Sequence, residues 1–191
     1  MTRLLAFSGS CRKGSFNTRL VAIAADGATA AGAEVTTIDL GDYPMPLFNQ
    51  DFEASEGMPG AARDFKNLMI EHDGFLIASP EYNSAFSPLL KNSLDWASRS
   101  ETDDEPPLQA FRGKVATLMA ASPGGLGGLR GMVFLRMMLG NLGVIVLPDQ
   151  LAVREAHKAF NSDGSLVDDA QQQLIRDLGA QTVMRARQLS G

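Results

Sequence analysis

The chain is poor in the residues that several common kinds of site require. Its single cysteine, Cys11, excludes an internal disulfide. Its two histidines, His72 and His157, sit far apart and in no ligand-spaced cluster, so solvated or capping roles are expected and no metal site is. No apolar run approaches the roughly 18 residues of a membrane span. Basic residues are in the minority, and the net charge of −5 argues against non-specific binding to nucleic acid. Two phosphate-binding patterns are also missing. There is no G-x-x-x-x-G-K-[ST], and no G-x-G-x-x-G follows the first strand-like run. Met1-Thr-Arg3 leads directly into that run and does not read as a signal peptide, so a cytoplasmic protein is expected.

What is present is a regular alternation. Apolar runs at Leu4–Phe7, Glu34–Leu40, Gly74–Ser79, Lys114–Ala121 and Val144–Leu147 read as strands. Helical patterns fall at Phe16–Ala31, Gly60–Glu71, Ser87–Ser98, Leu129–Leu142 and Val167–Leu189. Five strands alternating with helices predict an α/β fold, a doubly wound parallel sheet with helices on both faces. No repeat or linker divides the chain, so one domain over residues 1–191 is expected. Residues 42–59 read as an irregular excursion, and 100–107 as an acidic loop ending in Pro-Pro.

In such a sheet, ligands bind outside the carboxyl ends of the strands. The loops after strands one, three and four hold the unusual residues: Ser8–Asn17, Pro80–Ser87 and Ser122–Gly128. The first combines glycine, small hydroxyls and Arg12 before a helix start. Backbone N–H groups, hydroxyls, the helix dipole and a guanidinium fork together suit a terminal phosphate. The plain alternative is an ordinary βα turn with Ser or Asn capping the helix. The third-strand loop offers an aromatic, amide and hydroxyl groups. The glycine-rich loop lets backbone approach a flat ligand. Together they suit a planar heterocycle on a phosphate-bearing tail, such as FMN.

These residues carry a resemblance. Gly9, Ser10, Arg12, Ser15 and Asn17 match the G-S-x-R-x-x-S-x-N signature of the NADPH-dependent FMN reductases. Pro80–Asn83, Ser87-Pro88, Leu90–Asn92 and Asp95-Trp96 match that family's P-E-Y-N-x-x-x-S-P-x-L-K-N-x-x-D-W run. The soluble quinone and chromate reductases are the most similar members. The resemblance implies a flavodoxin-like fold, FMN as cofactor, and NADPH or NADH as co-substrate. It also implies homodimers or homotetramers, and reduction of quinones, free flavins, azo dyes or metal oxyanions. Carried over, Ser10, Arg12, Ser15 and Asn17 hold the FMN phosphate, with Thr18 adding a backbone N–H. Pro80, Glu81, Tyr82, Asn83 and Ser84 lie along the flavin ring and ribityl chain, and Ser122, Gly124 and Gly125 form the third cofactor loop. The flavin carries the chemistry, so no catalytic side chain is expected. Cys11 departs from the apolar residue common there; a small residue packed under the turn is one reading, a thiol acidified by the loop another.

Other features have plain readings. The acids of Glu101–Glu105 read as a solvated loop, Trp96 as core, and Met132, Met137 and Met138 as core or interface filler. Arg130 suits either an anionic nicotinamide cofactor or a salt bridge. Two rival functions remain open from sequence: a flavodoxin-type electron carrier, and an FMN-binding redox sensor without fast turnover.

Overall fold

The computed structural model describes residues 1–189; residues 190 and 191, the end of the expected 1–191 domain, lie outside them. The core is one parallel sheet built from β1 (Arg3–Ser8), β2 (Glu34–Asp39), β3 (Gly74–Ala78), β6 (Val115–Ala121) and β7 (Ile145–Val153), in the order β2-β1-β3-β6-β7. Two further strands, β4 (Glu81–Tyr82) and β5 (Ala85–Phe86), form a small antiparallel hairpin outside it. The order reverses between β1 and β3, which creates the switch point of a flavodoxin-like sheet.

The three central strands, β1, β3 and β6, are buried and apolar at nearly every position because both faces are covered, whereas the edge strands β2 and β7 are only partly so. Side chains alternate between the faces. Leu4, Ala6, Leu76, Ala78, Met119 and Ala121 pack with α1 (Phe16–Ala30) and α7 (Asp169–Leu189). Leu5, Phe7, Phe75, Ile77, Leu118 and Ala120 pack with α3 (Gly60–Glu71), α4 (Pro88–Ala97) and α5 (Leu129–Asn141). The expected fold class is therefore observed. On the first face, α1 and α7 touch backbone to backbone. A Cβ on Gly27 would sit 2.1 Å from the Arg176 carbonyl oxygen, and one on Gly179 2.0 Å from that of Ala24. Thr117 and Thr182, both fully buried, pair their hydroxyls at 2.6 Å and pin α7 to β6.

Several elements differ from the sequence reading. The fifth strand runs well past Leu147 to Val153, because β7 is an edge strand. Its pairing with β6 slips between Ala116 and Leu118, and Pro148 falls in the slipped stretch, where no ladder N–H is required. The 42–59 excursion contains α2 (Gln50–Glu56), capped by the Asn49 side chain, and it is fastened to α4. Trp96 Nε1 and Asn92 Nδ2 both donate to the Pro46 carbonyl, and the Phe48 N–H donates to Asn92 Oδ1. The last helix starts at Asp169 rather than Val167, with the Asp168 carboxylate accepting from the N–H groups of Ala170 and Gln171. Of the two roles expected for the histidines, His72 takes the capping one: it is the buried C-cap residue of α3, its ring nitrogens 2.6 Å from the Leu68 carbonyl and 2.8 Å from the Thr36 hydroxyl. The acidic run of 101–105 is not merely solvated: Glu101 pairs with Arg63 and Glu105 with buried Lys66.

Candidate functional site

The three unusual loops emerge side by side at the carboxyl edge of the sheet. The first is tied down from beneath. The Gly9 N–H donates to the Ala78 carbonyl, and the Ser87 hydroxyl donates to the Gly9 carbonyl while capping the Leu90 N–H of α4. A side chain at Gly9 would meet Ser87 and Ser79 at about 3 Å, so only glycine fits there. Above this anchor the loop turns: the Ser15 N–H reaches the Arg12 carbonyl, and α1 begins. The first intrahelical bond of α1 comes from the Arg19 N–H to Ser15. Ser15 makes no side-chain cap, so the N–H groups of Phe16, Asn17 and Thr18 have no partner among the described residues. Arg12 is exposed, its guanidinium 5.7 Å from the Phe16 ring centroid. Donors, dipole and a guanidinium in no ion pair among the described residues, bonded only to the Lys13 carbonyl, thus gather at one spot.

Asn17 is also at this spot, but its side chain is engaged. Its Oδ1 accepts from the Ala121 N–H and its Nδ2 donates to the Ala121 carbonyl, both at 2.9 Å. The amide locks the first loop to the end of β6.

The second wall is the β4–β5 hairpin. Asn83 and Ser84 both have positive φ (50° and 71°), as a tight two-residue turn with right-handed strand twist demands. The hairpin is held by Glu81. Its carboxylate accepts from the backbone N–H groups of Arg130 and Gly131 at 3.0 and 3.1 Å, and from the Arg130 guanidinium. Glu81 therefore caps the N-terminus of α5 from outside the helix. Burial opposes its ionisation, but the bonds from Arg130 and Gly131 outweigh it and hold the carboxyl below the usual range.

The third wall is the glycine loop. Its glycines divide into two kinds. Gly127 and Gly128 have positive φ and abut Val153 and Ala120, so they serve packing. Gly124 and Gly125 face open space: the nearest atom to a Cβ on Gly124 is 3.7 Å away, and none lies within 4 Å of one on Gly125. The loop is laced to the segment after β7, which carries the short helix α6 (Ala156–Ala159). The Ser122 N–H donates to Val153, while the Ala156 and Glu155 N–H groups donate to Ser122 and Gly124. Phe160 of that segment stacks on Phe16 at 5.6 Å between ring centroids.

Comparison with known proteins decides what this edge belongs to. The profile of the family described as NADPH-dependent FMN reductase matches residues 2–158. The chain belongs to this family. It is 35% identical over 190 residues to a Pseudomonas aeruginosa protein named as an NAD(P)H-dependent FMN reductase, covering 99% of this chain and 97% of the other. It is 34% identical over 183 residues to an Arabidopsis thaliana NADPH:quinone oxidoreductase, covering 93% and 88%. Its fold matches a solved Paracoccus denitrificans flavoenzyme, an NAD(P)H:(acceptor) oxidoreductase, with a TM-score of 0.81 at 24% identity over 98% of each chain.

The three loops border a cleft of about 380 Å³. Of the thirteen residues singled out from sequence, Ser10, Arg12, Ser15, Asn17, Pro80, Glu81, Tyr82 and Ser122 line it. Thr18 lies one position into α1. Asn83 and Ser84 form the hairpin tip, and Gly124 and Gly125 stand in the loop beyond Pro123. Phe16, Ala121 and Pro123 also line the cleft and were not foreseen. Phe16 had a signal, being the first helical residue after the donor loop. Ala121 and Pro123 had none beyond their place beside Ser122. Arg130, a candidate for an anionic cofactor, is instead paired with Glu81.

Proposed function

We propose that the chain is an FMN-dependent NAD(P)H oxidoreductase that reduces quinones, free flavins or similar small acceptors by ping-pong hydride transfer, with azo dyes and chromate as further candidates. The observation that carries this reading is the cluster of unspent donors around Arg12 at the end of a cleft whose far rim, at Gly124 and Gly125, is open. Ser10, Ser15, Arg12 and the first-turn N–H groups of α1 fit a phosphate dianion, with Asn17 fixing their position. Pro80, Tyr82 and Ser122 fit the walls of a flat ring, and Asn83 and Ser84 its polar edge. Bound FMN supplies the hydride-accepting ring. The chain's own part is to hold it, keep one face open for nicotinamide and acceptor in turn, and align the two reactants, a positioning role that carries most of such a rate.

The charge that Arg12 brings favours this reading over an electron carrier, whose phosphate loop would hold neutral donors. The whole of residues 1–191 acts as one unit in it, in the cytoplasm. A second copy of the chain covers the exposed apolar face of α5, where Val133, Phe134 and Met137 lie 46–61% exposed.

The test is steady-state NADPH and NADH oxidation by FMN-loaded protein across an acceptor panel, beside titrations with FMN and riboflavin. Tight FMN, weak riboflavin and turnover with quinones are expected. Arg12→Ala weakens FMN by about 1.5–3 kcal/mol, the size of hydrogen bonds to a charged group. Equal affinity for riboflavin and FMN would sink the phosphate site. FMN binding without turnover would favour the sensor.

A further inference from the structure

The cations around the cleft are not equally committed. Arg130 is spent on Glu81, and Arg12 stands in the phosphate loop. A third group lies on the segment after β7, where Arg154, His157 and Lys158 fall within five residues of an otherwise acidic chain. All three are exposed. This segment backs the cleft without lining it: its backbone is bonded to Ser122 and Gly124, and its Phe160 stacks on Phe16, so it touches two of the lining residues, Ser122 and Phe16, from behind. Lys158 neutralises Glu155, at 2.7 Å. Arg154 has no acidic partner among the described residues. Between the two, Glu155 holds a left-handed backbone at φ 45°, a conformation costly for a residue with a side chain. The bond and charge of Lys158, and then the charges of His157 and Arg154, hold the Glu155 carboxyl below its usual range. Arg154 and Lys158 against the single carboxylate of Glu155 leave the stretch 154–158 with an excess of positive charge.

We propose that Arg154 is a specificity-determining residue that contacts the 2′-phosphate of NADPH and makes it the preferred reductant over NADH. This rests on the reading above. A nicotinamide ring stacked beside Gly124 and Gly125 must send its anionic tail out along a wall. The segment after β7 is bonded to Gly124 and carries a guanidinium in no ion pair among the described residues. A fork of N–H donors suits a phosphate monoester, and the ribose hydroxyl of NADH gives it nothing comparable to bind.

Two measurements test this. The first is the ratio of kcat/KM for NADPH to that for NADH on FMN-loaded protein. The second, independent of turnover, is calorimetric affinity for 2′,5′-ADP against 5′-AMP. Arg154→Ala lowers the kinetic ratio roughly tenfold, chiefly through KM for NADPH, and weakens 2′,5′-ADP but not 5′-AMP. Arg154→Lys restores part of both. The assignment is overturned if Arg154→Ala shifts neither quantity by more than about twofold, or if Lys13→Ala, at the exposed cation next to Arg12, moves them instead. Wild-type protein that binds 2′,5′-ADP no better than 5′-AMP overturns it too. Failure of the function itself looks different: no FMN bound and no oxidation of either nicotinamide cofactor by the wild type.

Discussion

Lys66 shows how a single residue carries cost and compensation together. Its side chain is 3% exposed on α3, and its ammonium meets the Glu105 carboxylate. Removing one member of a buried pair strands the other, which costs about 3–5 kcal/mol. Glu105→Ala therefore lowers the urea midpoint sharply, while exposed Glu155→Ala does not. The pair also fixes a pH dependence. Burial raises the affinity of Glu105 for a proton, but the Glu101 N–H and Lys66 overcome this and hold its carboxyl below the ordinary value. A carboxyl lowered on folding adds stability that is complete above its unfolded value, about 4.3, and is lost as pH falls through the lower folded value. Midpoints measured from about pH 6 to pH 3 should fall for the wild type and fall less for Glu105→Gln; parallel curves would contradict the pairing. None of this was visible in sequence, because Arg63 and Lys66 lie 38 and 39 positions from the acids they meet. Asn17 is the converse case. Its place in the site was legible from its motif, but its engagement with Ala121, 104 positions away, was not.

At the scale of elements, the alternation of apolar runs was enough to give the five strands of the main sheet and every long helix, because buried central strands are apolar throughout and amphipathic helices are not; the two-residue strands of the β4–β5 hairpin were not foreseen. What escaped were the elements defined by tertiary support. Pro148 reads as a stop, yet an edge strand tolerates it in a slipped register. The 42–59 segment lacks periodicity, and it is ordered by the side chains of Asn92 and Trp96. That also accounts for the asparagine and tryptophan of the second motif, which grip this segment rather than a ligand. The α1–α7 contact was equally silent, since Gly27 and Gly179 look like helix weaknesses until the two backbones are seen to meet. Gly179→Ala should lower Tm by more than a typical overpacked core substitution, which costs about 1–3 kcal/mol, because the obstacle is a main-chain oxygen. FMN affinity should fall with it, as α1 carries the first loop. Gly60→Ala, with nothing within 4 Å of its added carbon, should stay within about 0.5 kcal/mol of the wild type. Equal Tm values for the two variants would refute the close approach.

For the whole molecule, the convergence of three loops at the switch point followed from topology, so the position of the cleft was legible before its details. The outer surface was less so. Met132 is buried, as core filler should be, but Met137 is 61% exposed on the same helix. With Phe134, Met138, Leu142 and Phe86 it borders an apolar groove of about 520 Å³, next to the hairpin that Glu81 secures. Light scattering at micromolar concentration should give at least a dimer, and Phe134→Glu with Met137→Glu should give a monomer with weaker FMN binding. A wild-type monomer would remove the second copy from the proposed function. The contact between α1 and α7 has a further consequence, in time rather than space. The ribosome releases α1 early and α7 only after all five strands, and a nascent chain grows by about 5–20 residues each second. Until α7 emerges, the helix bearing the first loop lacks its packing against α7. Ribosome-bound chains stalled before residue 169 should therefore fail to capture flavin, making cofactor acquisition one of the last events in the biogenesis of this protein.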